Sequence, residues 1–81
     1  MEAKRFTVTA FGKNRIDILN RITSLYLQKN IAVESFVLSQ EENGESKYQI
    51  CAETSKEAIE RIVSQMNNII EIRRVDYALT A

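Results

Sequence analysis

Twice along this chain the spacing of apolar residues switches from every second position to every third or fourth, and twice it switches back. In "KRFTVTAF" (4–11), Phe6, Val8 and Ala10 alternate with Thr7, Thr9 and Phe11, the period of a β-strand. From Ile18 the spacing becomes helical, with Ile18, Leu19, Ile22, Leu25 and Tyr26 on one stripe. "IAVESFVLSQ" (31–40) and "ESKYQICAE" (45–53) return to strand character. A second stripe follows at Ile59, Ile62, Val63 and Met66, and "IEIRRVDYAL" (70–79) reads as a last strand.

The punctuation agrees with this order. Gly12 to Arg15 form a polar loop, and Asn30 is placed to end the first helix in a left-handed conformation. Asn43-Gly44 predicts a type I′ hairpin turn. Thr54 and Glu57 have the spacing of a capping box for the second helix. The order is βαββαβ. Two striped helices and four strands bury their apolar surface as an α+β sandwich, both helices on one face of a four-stranded antiparallel sheet. Right-handed crossovers give the ferredoxin-like topology, strand order 4-1-3-2, as a single domain over 1–81.

Eleven basic and eleven acidic residues balance to zero formal charge, against the basic surplus expected of a nucleic-acid binder. No apolar run reaches 18 residues, and "MEAKRFTVTAF" lacks the apolar core of a signal peptide. A cytoplasmic location is the expectation, with no membrane or nucleic-acid partner. Histidine is absent and Cys51 is the lone cysteine, so the commonest general base and the usual zinc ligands are missing. No catalytic residue is expected in this chain. Cys51 reads as a small packing residue, Tyr26 as a core residue with its hydroxyl at the rim, and Arg73-Arg74 as an exposed basic pair.

The fold hosts many functions, so the site must decide among them. A metallochaperone needs a cysteine pair in the first loop, and Gly12 to Asp17 has none. An RNA-recognition motif needs stacking aromatics in a basic surround. An acylphosphatase-like enzyme needs a glycine-rich, arginine-bearing anion loop, and "GKNRID" matches that weakly. Strand two mixes Val33, Ser35 and Val37 on one parity with Glu34, Phe36 and Leu38 on the other. Neither side is simply polar, which favours sheet extension or face packing in an oligomer.

"RFTVTAF", "LNRITSLYLQKNIAVESF" and "QMNNIIEIRRVDY" together resemble the ACT domain of acetolactate synthase small subunits over nearly the whole chain. The most specific elements are the run Leu19 to Tyr26 and the following Val33-Glu34-Ser35. The resemblance implies a non-catalytic regulatory subunit in branched-chain amino acid biosynthesis. Such a subunit pairs as a homodimer through its sheet edge and activates a catalytic large subunit. Thiamine diphosphate, FAD and magnesium are then expected only in that large subunit, and no cofactor in this chain. Many members carry a further C-terminal domain, so the chain is expected to be a short form or an excised ACT domain. The alternative is a free-standing, homo-oligomeric ACT-domain amino-acid sensor with a different ligand.

The family's effector loop, Asn-x-x-Gly-(Val/Ala)-Leu, falls on Asn14, Arg15, Ile16, Asp17, Ile18 and Leu19. Asn14 matches, whereas Asp17 replaces the glycine. Ala32 stands where the family places an asparagine contributed across the dimer interface. In the family the glycine lets backbone N–H groups approach an amino-acid carboxylate. Asp17 adds bulk and a like charge there, and two such charges about 4 Å apart repel by roughly 4 kcal/mol at an effective dielectric near 20. Valine feedback is therefore expected to be weakened or lost. Asp17 is also suited to cap the helix or complement its dipole.

Overall fold

The computed structural model describes residues 3–80; Met1, Glu2 and Ala81, the outermost residues of the expected domain, lie outside them. The elements are β1 (Lys4–Gly12), α1 (Ile16–Gln28), β2 (Val33–Gln40), β3 (Ser46–Thr54), α2 (Lys56–Met66) and β4 (Ile72–Leu79). One antiparallel sheet has the order β2-β3-β1-β4, so β2 and β4 are its edges. This is the ferredoxin-like βαββαβ sandwich expected from the alternation of periods.

One parity of each central strand faces the helices. Phe6, Val8 and Ala10 of β1, with Tyr48, Ile50 and Ala52 of β3, meet Ile18, Ile22 and Tyr26 of α1 and Ile59, Ile62 and Met66 of α2. Phe36 of β2 and Tyr77 of β4 close the flanks with edge-to-face contacts on Tyr48 and Phe6. Burying side chains of this size contributes about 1.5–3 kcal/mol each, which is what holds two short helices on the sheet.

Local details depart from the sequence expectations in four places. The hairpin is not type I′, because Gly44 takes a positive φ (85°) and Asn43 does not. Gly44 N–H closes a turn on the Glu41 carbonyl (3.2 Å), and the Asn43 side chain accepts from Glu45 N–H (3.1 Å). A three-residue loop with one left-handed glycine results. The cap of α2 is Ser55, whose hydroxyl accepts from Ala58 N–H at 3.1 Å. Thr54 is still paired in the β3 ladder, opposite Lys4, and is unavailable for that role.

The other two departures concern α1. The helix begins at Ile16, so Asp17 lies within its first turn and is not the cap. Tyr26 is fully buried, hydroxyl included; that oxygen meets no partner and is not at the rim. The end of α1 follows expectation. Asn30 takes φ 58°, its N–H bonds the Leu27 carbonyl, and Ile31 N–H bonds that of Tyr26, a Schellman closure.

Candidate effector loop and assembly edge

The loop between β1 and α1 is held from below. Gly12 lies so close to the segment before β4 that a Cβ on it would fall 2.5 Å from the Glu71 carbonyl oxygen. Lys13 N–H donates to that carbonyl (3.2 Å), and the Tyr48 hydroxyl donates to the Lys13 carbonyl (2.6 Å). These contacts fix where α1 starts and which way its first residues point.

Arg15 occupies the N-cap position with an extended backbone and offers no side-chain cap. Its guanidinium turns onto Asp17 instead, Nε to Oδ1 at 3.0 Å and Nη2 to Oδ2 at 3.1 Å. The remaining Nη1 reaches the Glu71 carboxylate at 3.5 Å. This two-point geometry places a carboxylate on a cation at the mouth of the loop. Asp17 is thus not an isolated carboxylate but one member of an exposed ion pair. The pair leaves the Asp17 carboxylate in the first turn of α1, held on Arg15.

The other sequence-proposed residues divide by position. Asn14 is exposed in the loop, and Ile16 is 85% exposed at the first helical position. Ile18 faces the core with no exposed surface, so its side chain is unavailable to a solute. Leu19 is half-buried and lines an open depression of about 560 Å³ with Ile16, Asp17, Asn20 and Thr23. Ala32 is exposed but lies beyond the far end of α1, whose 13 residues span about 20 Å. The single chain therefore does not bring Ala32 to the loop.

Glu71 completes the loop's ionic contacts, yet no sequence pattern singled it out. The one available signal was Gly12, outside any tight turn, where a close backbone approach explains the missing side chain. Arg73 and Arg74 are not free either. Arg73 is bound by Glu45 through two 2.8 Å contacts; Arg74 pairs with Asp76 (3.1 Å) and covers the Phe11 ring at 4.7 Å. Glu34 lies next to a register slip in β2, holds Arg5 at 2.7 Å and accepts from the Cys51 thiol at 3.7 Å. The open sheet face thus carries paired charges among threonines, together with Lys47 and the exposed Val37.

Exposed apolar side chains include Ile70 and Leu79 at the β4 side and a group at β2 and α1. Val33, Val37 and Leu38 stand on the β2 edge, and Ile16 and Leu27 on the neighbouring helix. Among the described residues no group of three or more Cys, Asp or Glu is placed to hold a metal ion, and no helix is long and apolar enough to cross a membrane.

No protein-family model matches the sequence, and no curated protein matches it. Solved structures do. The ACT domain of GTP pyrophosphokinase from Chlorobium tepidum superposes with a TM-score of 0.78, at 10% identity, over 94% of this chain and 99% of that one. The fold is that of an ACT domain. The acetolactate synthase small subunit from Thermotoga maritima matches with a TM-score of 0.78 at 19% identity, over 91% of this chain and 47% of that one. An uncharacterized protein from Thermotoga maritima matches with a TM-score of 0.77 at 12% identity, over 99% of this chain and all 100% of that one. At these identities what is shared is the ACT-type fold.

Proposed function

We propose that this chain is a non-catalytic regulatory subunit of acetolactate synthase, dimeric through β2, which activates a catalytic large subunit and has weakened or lost valine feedback. The observation that carries the reading is where the family-like residues fall. Leu19 to Tyr26 and Val33-Glu34-Ser35 lie on α1 and the start of β2, beside the exposed apolar side chains Leu27, Val33, Val37 and Leu38. A free strand edge flanked by apolar residues is suited to pairing with a second copy, whereas the ion-paired open face is suited to water. Weak valine response is supported by the Arg15–Asp17 pair, which sets a carboxylate in the first turn of α1 where the family has its glycine.

Mixing the chain with the large subunit is expected to raise the rate of acetolactate formation, and the two are expected to co-elute. No rate change and no co-elution would contradict the role. In calorimetry, valine is expected to bind no tighter than millimolar; micromolar binding at the Asn14–Leu19 loop would contradict the weakened response. The second reading is a free-standing, homo-oligomeric ACT sensor with a different ligand. Retrieval of a thiamine-diphosphate enzyme from native lysate separates the two, since only the first requires it.

A further inference from the structure

Arg5, Arg15, Arg61, Arg73 and Arg74 each lie between 2.7 and 3.6 Å from a carboxylate. Arg21 forms no ion pair and donates no hydrogen bond among the described residues. Its natural partner is Asp17, one turn earlier, with the acid N-terminal to the base as the favourable order requires. Asp17 is committed to Arg15 instead. Nor does Arg21 serve the end of α2, whose carbonyls at Val63, Gln65 and Met66 accept from Asn67, Asn68 and Ile69 N–H at 3.0, 3.1 and 3.1 Å.

Arg21, exposed and unpaired, lines an open groove of about 250 Å³ between α1 and α2. Leu25 and the buried Ile69 supply its apolar surface, and Gln28 and Gln65 contribute amides from the two helices. No Asp or Glu lines it. We propose that this groove binds a small organic carboxylate with an apolar body, its carboxylate on Arg21 and its alkyl part on Leu25 and Ile69. The groove is small and open to solvent, which suits a short-chain acid better than a large ligand. An ammonium group would find no anion in the lining, so simple or 2-oxo acids are taken in preference to amino acids. The groove lies on the α2 side of α1, shares only Asn20 with the depression beside the Asn14–Leu19 loop, and does not depend on the regulatory reading.

The test is an amide NMR titration of the full chain with isobutyrate, isobutyramide, inorganic phosphate and valine. Isobutyrate is expected to give saturable shifts at Arg21, Ser24, Gln28, Gln65 and Ile69 with millimolar affinity. The other three probes are expected to bind at least about tenfold more weakly. Arg21→Gln should weaken isobutyrate by about tenfold or more, with Arg21→Lys intermediate and the rest of the spectrum unchanged. The proposal is overturned by any of three results: no saturable shift with isobutyrate, equal affinity in Arg21→Gln, or an equal response to isobutyramide. Shifts centred on Asn14–Asp17 would place the ligand at the loop and overturn it equally.

Discussion

Tyr26 and Glu45 show how differently a polar group behaves inside and outside this sandwich. The Tyr26 hydroxyl is buried without a partner; burial, reinforced by the nearby Cys51, pushes its ionisation well above the ordinary tyrosine range. An unmet buried hydroxyl costs about 1–3 kcal/mol, while the ring it belongs to fills the core. Tyr26→Phe keeps the ring, so urea unfolding is expected to show a gain of about 1 kcal/mol and a Tm rise of roughly 4–8 °C. A loss of similar size would mean that the hydroxyl is bonded. Glu45 is at the surface, and its hydrogen bonds from Arg73, with a smaller one from Asn43, hold its carboxyl below the usual range. A depressed carboxylate contributes stability above the unfolded pKa and loses it as pH falls through the folded value. The Tm gap between wild type and Glu45→Gln is therefore expected at pH 7 and to shrink as pH falls below the ordinary carboxylate range; a gap unchanged with pH would contradict the pairing.

At the level of elements, the start of α2 shows what the sequence could and could not disclose. Thr54 and Ser55 are both good caps by residue type, and only the strand ladder decides between them. Ser55→Ala is expected to cost about 1 kcal/mol in urea unfolding and Thr54→Ala clearly less; the reverse order would restore the sequence-level assignment. The same limit applies to the hairpin. Asn43-Gly44 announced a turn between β2 and β3 correctly, but its type depended on the Asn43 side chain bonding forward to Glu45. Element order and core stripes were legible because they are periodic: Ile18, Ile22, Ile59, Ile62 and Met66 are buried as their spacing implies. The site was legible only in part. Asn14 to Leu19 could be placed at a strand-to-helix junction, yet the Arg15–Asp17–Glu71 contacts join residues 56 positions apart in sequence and follow from tertiary geometry alone.

The whole molecule is a slab of 39 × 25 × 17 Å, two layers deep, with one sheet face bare and both sheet edges open. A domain of this size buries only about 60–65% of its extended-chain surface, so association adds stability that its own core cannot. The bare face carries the pairs Arg5–Glu34, Arg73–Glu45 and Arg74–Asp76, and exposed apolar side chains stand on β2 and α1, with Ile70 and Leu79 at the β4 side. Pairing at the β2 edge would continue the sheet across two copies. A lysine on that edge is the device proteins use to prevent such pairing. Sedimentation equilibrium of wild type and Leu38→Lys at micromolar concentration is the most direct measurement. The expected result is a dimer for the wild type and a folded monomer for the variant. A monomeric wild type, or a variant dimer of unchanged affinity, would contradict assembly through this edge.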